Sequence, residues 1–197
     1  MHEASTRMVG GNDLKRALCR LLRRPAHLVA GLGAATVAAC ALDTPALPHG
    51  LLDATFTIDG KAMRLSNGVF DAPAAPGSAT RIRLSALGMP VSGDLDNDGR
   101  KDAALFLLHE PGGSGAFLYV TAALGTSDRF VVTNALLLGD RVEPRGIAIS
   151  QGTLAIEYTA RAPGAPFATT PTVNVMRELR LVNGVLVGSS VRASAPW

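Results

Sequence analysis

The densest run of ligating side chains in this sequence is Gly93-Asp94-Leu95-Asp96-Asn97-Asp98-Gly99-Arg100-Lys101-Asp102. Counted from Asp94, carboxylates fall at positions 1, 3, 5 and 9, with Gly99 at position 6. Oxygen donors at that spacing suit a hard cation that takes about six to eight oxygens, and a glycine supplies the sharp turn that lets the Arg100 carbonyl face the same centre. Electrostatics argues the same way. Two carboxylates about 4 Å apart repel by roughly 1 kcal/mol in water and by about 4 kcal/mol at an effective dielectric of about 20. Four on one short loop are costly without a cation between them. The expected metal ligands are therefore Asp94, Asp96, Asp98 and Asp102, with Arg100 acting through its carbonyl. Ca2+ is expected over Mg2+, which demands near-octahedral geometry and keeps its waters. Zinc is disfavoured because no Cys or His stands near the run. The plain alternative is a solvated Asp/Asn/Gly turn that binds nothing.

Position 12 is Leu105, where an EF-hand would carry a bidentate Glu. The run instead resembles the DxDxDGxxD calcium loops of FG-GAP repeats, in which the ninth residue closes the site and a strand follows. Ala103-Ala104-Leu105-Phe106-Leu107-Leu108 stands where that strand belongs. A propeller needs several such loops at a regular period, and only one occurs. More widely, GDLDNDGRKDAALFLLHEPGGSGAFLYVTAAL, TNALLLGDRVEPRGIAI and RAPGAPFATTPTV resemble an uncharacterised family of proteobacterial lipoproteins and periplasmic proteins, over roughly residues 53 to 187. That resemblance implies a fold and an envelope location, and no activity.

Other constellations carry less chemistry, and no catalytic residue is assigned. Gly112-Gly113-Ser114-Gly115 falls short of a G-x-S-x-G nucleophile elbow, because Ala116 stands where the last Gly is needed. It reads as a connection between two core strands. His49 and His109 read as surface or strand-end residues. Glu110, Asp140, Glu143 and Glu157 show no spacing that selects an acid–base pair. They read as solvated, or as partners of Arg141, Arg145 or Arg177. No GxxxxGK[ST] phosphate loop and no interleaving of basic and aromatic residues occurs, so nucleotide and single-strand nucleic-acid binding are not expected.

Charge and hydropathy divide the chain. The formal net charge is +3, but residues 1–39 hold six Lys/Arg against Glu3 and Asp13, a net of +4, which leaves −1 for the rest. The basic pI near 9.2 thus belongs to the N-terminus, and nucleic-acid binding by the domain loses its support. The basic stretch of residues 15–24 precedes an apolar run of 12 residues, Leu28 to Ala39, which is too short for a bilayer span of about 20 but suits a signal peptide. It ends in Val37-Ala38-Ala39-Cys40, which resembles a bacterial lipobox, so Cys40 is the expected lipidation site. Two or more acyl chains hold a protein stably at a membrane where one does not. Ala41 follows the Cys in place of the Asp of inner-membrane-retained lipoproteins, which points to the periplasmic face of the outer membrane. Plain secretion to the periplasm is the alternative. Cys19 and Cys40 are the only cysteines, so the processed domain has no disulfide to lean on.

The acidic loop has to be positioned by strands. With 47% hydrophobic residues, the chain can bury a sizeable core. Beyond Asp53 it consists of short apolar segments broken by Gly, Pro, Asn and Asp, the pattern of a mainly antiparallel β domain, sandwich or meander, with room for one or two short helices. Asp59-Gly60 and Asn183-Gly184 are tight hairpin turns. The continuous apolar runs 103–109 and 116–124 predict two adjacent buried strands. Leu154, Ile156 and Tyr158 share one face, as do Val173, Val175, Leu179 and Leu181, a face interrupted by Arg177. The expected organisation is a signal peptide over 1–39, a tether over 40–52, a calcium-binding β domain over 53–190 and a tail over 191–197. Its expected role is binding to an unknown envelope protein or polysaccharide, or structural support, without catalysis. A hydrolase with structural calcium and a loop-inserting enzyme inhibitor are the alternatives.

Overall fold

A computed structural model describes residues 49–193 apart from Asp128 and Phe167. The predicted signal peptide, Cys40, most of the tether and residues 194–197 lie outside the described residues. Among the described residues no helix is long and apolar enough to cross a membrane. A 3₁₀ turn, His49–Asp53, precedes twelve strands: β1 Thr55–Ile58, β2 Lys61–Arg64, β3 Val69–Pro73, β4 Arg81–Gly93, β5 Asp102–Glu110, β6 Phe117–Gly125, β7 Phe130–Val132, β8 Leu136–Asp140, β9 Glu143–Ser150, β10 Thr153–Ala160, β11 Val173–Val182 and β12 Val185–Ala193. The mainly antiparallel β expectation holds.

The turns fall where the dipeptides place them. Asp59 and Gly60 both have positive φ (51° and 75°), as do Asn183 and Gly184 (52° and 76°), the conformation that closes a two-residue hairpin with the strand twist. β1 and β2 form a two-stranded hairpin, β9 to β12 a four-stranded sheet in the order β12-β11-β10-β9. The largest sheet runs β3-β4-β5-β6, and then β7 and β8 share the far edge of β6, β7 against Ala123–Gly125 and β8 against Phe117–Val120. In the break between them, Asn134 reaches the other sheet, where its side-chain amide exchanges two hydrogen bonds with the backbone of Leu186 (2.7 and 3.1 Å).

The paired strands β5 and β6 are apolar on both faces because both faces are covered. Ala104, Phe106, Leu118, Val120 and Ala122 meet Leu154, Ile156, Tyr158, Val175, Leu179 and Leu186 of the four-stranded sheet. On the opposite face, Ala103, Leu105, Leu107, Tyr119 and Ala123 meet Leu51, Phe56, Ile58, Met63 and Leu65 of the 3₁₀ turn and the first hairpin. A two-residue period accounts for which side chain goes to which core.

Two boundaries differ from expectation. The tether was expected to reach residue 52, yet Leu51 is fully buried and the Leu52 carbonyl accepts the Gly68 N–H at 2.7 Å, so the packed domain already includes this turn. Burial of a Leu outweighs the Pro/Gly composition around it. At the other end β12 continues through Ala193, paired with Val175. Arg177, which interrupts the apolar face, lies within β11, and its guanidinium lies across Gly188, where a Cβ would stand 2.6 Å from Nη2.

Candidate metal site

The acidic loop joins the end of β4 to the start of β5. The chain alternates through it: the Leu95 side chain is buried in the core between the sheets, while its neighbours Asp94 and Asp96 turn outward, half-buried and exposed. Asn97 (φ 61°) and Gly99 (φ 83°) then take the left-handed conformation that folds the loop back on itself, a conformation that Asn and Gly adopt at low cost. As a result Asp94, Asp96 and Asp102 each offer a carboxylate oxygen within 4.8 Å of the other two.

Backbone N–H groups hold these carboxylates in place. Asp102 is fully buried, with Oδ2 accepting from Leu95 N–H at 2.6 Å and Asp96 N–H at 3.3 Å, and Oδ1 accepting from Gly125 N–H at 2.8 Å. Asp94 accepts from Asp98 N–H (3.1 Å) and Gly99 N–H (3.0 Å), and Asp96 Oδ1 also accepts from Asp98 N–H (3.1 Å). These are the short-range side-chain bonds by which Asp organises turns. They leave further lone pairs on every carboxylate, so the three oxygens can hold a divalent cation between them. The carboxyl pKa of Asp96 is raised by local desolvation first and then by the neighbouring Asp102, while the Asp98 N–H opposes the rise. A cation between the carboxylates would reverse that repulsion.

The chain matches no protein-family model, no curated protein and no solved structure.

Of the expected ligands, the structure brings together Asp94, Asp96 and Asp102. Asp98 faces elsewhere: its Oδ1 accepts the Arg100 N–H at 2.7 Å and its Oδ2 pairs with the Arg100 guanidinium. Arg100 also donates from Nε to the Gly125 carbonyl at 2.9 Å. Gly125 thus serves the loop twice, through its N–H to Asp102 and its C=O to Arg100. The sequence signal for it was a glycine closing the apolar strand Ala122-Ala123-Leu124, easily read as a strand end and no more. Asn97 was likewise missed as a contact. Its side chain lies over the β9–β10 turn, where a Cβ on Gly152 (φ 68°) would stand 2.3 Å from the amide nitrogen.

Of the other acidic candidates, Glu143 and Asp140 take structural roles. Glu143 pairs with Arg145 at 3.6 Å, and Asp140 accepts the Ala116 N–H at 2.9 Å. A polar cleft of about 390 Å³ contains Asp71 and Glu110, but the Arg81 guanidinium bonds to Asp71 at 2.6 Å and holds its carboxyl below the usual range, unsuited to donate a proton at neutral pH. In the Gly112–Gly115 connection it is Gly112 that is confined: a Cβ there would meet Thr80 at 2.5 Å and the Arg81 carbonyl oxygen at 2.9 Å.

His109 takes the strand-end placement, one of the two expected for it, and is not at the surface. It is near the end of β5 and 6% exposed, its ring 6.3 Å from that of Tyr119, and its Nδ1 has no hydrogen-bond partner among the described residues. Burial lowers its pKa from 6.5, nearby Lys61 adds to the shift, and Asp59 opposes it. The unfolded chain therefore takes up this proton near pH 6.5 and the folded one only at lower pH. Stability is full above about 6.5 and falls as the pH drops from there towards the folded pKa, by at most about 1.4 kcal/mol per unit. Urea midpoints at pH 7.5 and 5.5 should differ, and His109→Gln should shrink the difference.

Proposed function

We propose that this is a lipid-anchored envelope protein whose β domain is stabilised by one Ca2+ and serves a binding or structural role. The observation that carries the ion is the convergence of Asp94, Asp96 and Asp102, with Asp102 buried and its two oxygens fixed by three backbone donors. Oxygen donors without nitrogen or sulfur favour Ca2+ over transition metals. Asp98 and the Arg100 carbonyl join the shell in this reading, which leaves positions open on an ion that takes about six to eight oxygens. Asp98 must then give up its ion pair with Arg100, whose guanidinium side is more than half exposed. Such surface pairs are worth no more than about 1 kcal/mol, so a divalent cation outcompetes the pair. Anchoring rests on Val37-Ala38-Ala39-Cys40, with the outer membrane's periplasmic face as the destination.

Ca2+ at roughly 100 times its Kd should add about 2.7 kcal/mol of stability, a rise of about 5–10 °C in Tm. Asp96→Asn should abolish the rise while leaving the Tm in EGTA nearly unchanged, because Asp96 is exposed and accepts a single backbone bond. Equal melting curves of the wild-type domain in Ca2+ and EGTA would refute the ion. Intact mass of the membrane-extracted protein checks the lipid on Cys40.

A further inference from the structure

Beside the carboxylates lies a cleft of about 420 Å³, within the range of small-ligand sites. Three separate turns build it. The acidic loop contributes Asp96 and Asn97, the β9–β10 turn Gly152, and the end of β11 with its turn Arg180 and Asn183, over a floor that includes Leu124. Gln151-Gly152 and Asn183-Gly184 are tight turns with positive φ at both residues, so the walls are preorganised. The Arg180 side chain is exposed and makes no ion pair or hydrogen bond with the described residues. One wall therefore carries an exposed carboxylate of the cation site and another carries an unengaged guanidinium.

We propose that this cleft binds a carboxylate-bearing sugar, with the acid group on Arg180 and hydroxyls completing the coordination of the cation beside Asp96. The inference rests on the metal reading above. A guanidinium fork matches a planar carboxylate with two parallel hydrogen bonds. Four carboxylates, Asp98 included, around one divalent ion leave a net charge of −2, which disfavours a dianion such as a phosphate. Side-chain amides both donate and accept, as hydroxyls do, and Asn97 and Asn183 place two of them in the cleft. Neutral hydroxyl oxygens are suitable donors to the open positions of Ca2+.

Titration of the mature domain with D-glucuronate, D-glucose, acetate and inorganic phosphate, followed by NMR in Ca2+ and in EGTA, tests the site. Glucuronate should bind in Ca2+, lose affinity roughly tenfold or more in Arg180→Gln, and not bind in EGTA. Glucose and acetate should bind more weakly than glucuronate, each lacking half of the recognition. The Ca2+-induced rise in Tm should survive in Arg180→Gln, which shows that the variant is folded and its metal site intact. Glucuronate binding that is absent, indifferent to Arg180, unchanged in EGTA, or weaker than that of acetate or phosphate overturns the inference. If the Ca2+-induced rise persists in that case, the metal reading stands without it. If the rise is itself missing, both fall.

Discussion

Asp102→Ala should lower the stability of the domain by about 4 kcal/mol or more, roughly 10 °C in Tm, even with EGTA present. The carboxylate is fully buried at the first position of β5 and accepts the N–H groups of Leu95, Asp96 and Gly125. Truncation leaves these donors facing a small void. Hydrogen bonds to a charged acceptor contribute about 1.5–3 kcal/mol each, and an orphaned buried donor costs about 1–3 kcal/mol. Because the bonds share one acceptor, the losses do not simply add, and the lower part of the summed range is expected. Asp102→Asn should fall between, since its amide keeps one oxygen but turns an N–H₂ group towards backbone donors. Thermal melts in EGTA isolate this contribution from that of the ion. A loss below about 1 kcal/mol would show that the loop does not depend on this carboxylate.

The second large effect is expected at a glycine. Gly125→Ala would put its Cβ 2.2 Å from the Lys101 carbonyl oxygen and 3.2 Å from the carbonyl carbon. That obstacle is backbone, so no rotamer change can relieve it, and β6 has to separate from the loop. Separation breaks the Gly125 N–H bond to Asp102 and the Arg100 bond to the Gly125 carbonyl. Overpacking costs about 1–3 kcal/mol, and the lost bonds add to it, so about 3 kcal/mol or more is expected. Affinity for Ca2+, measured by calorimetry, should fall in parallel. Gly113→Ala is the control: a Cβ there meets nothing within 4 Å, and the change should stay within about 0.5 kcal/mol.

Local signals in the sequence were the ones that could be read without the fold. Asp59-Gly60 and Asn183-Gly184 announce hairpins because positive φ is a property of the dipeptide itself. Alternation placed Val173, Val175, Leu179 and Leu181 on one face of β11, and all four pack into the core between the sheets. The runs 103–109 and 116–124 were legible as buried strands, but their unbroken apolar character does not say which partner covers which face. Leu51 was lost for a related reason, since a Pro- and Gly-rich neighbourhood resembles a linker until its one buried side chain finds a core. In the acidic loop, residue type and spacing located the site. They could not show that Asp98 turns to Arg100, because that depends on a side chain two residues away competing for the same oxygen. Nor could spacing reveal Gly125, which is 23 residues from Asp102 and meets it only through the β5–β6 pairing.

β5 belongs to both apolar clusters at once, and it begins at the residue that closes the loop. Neither layer can come off without baring one side of this strand, so the described domain should melt as a single cooperative unit. Its amides should be among the slowest to exchange with deuterium, and an ion gripped at Asp102 should slow them further although most lie well away from it. Occupancy of the loop would then be felt as resistance to global opening, and a protease would register it at peptide bonds remote from the aspartates.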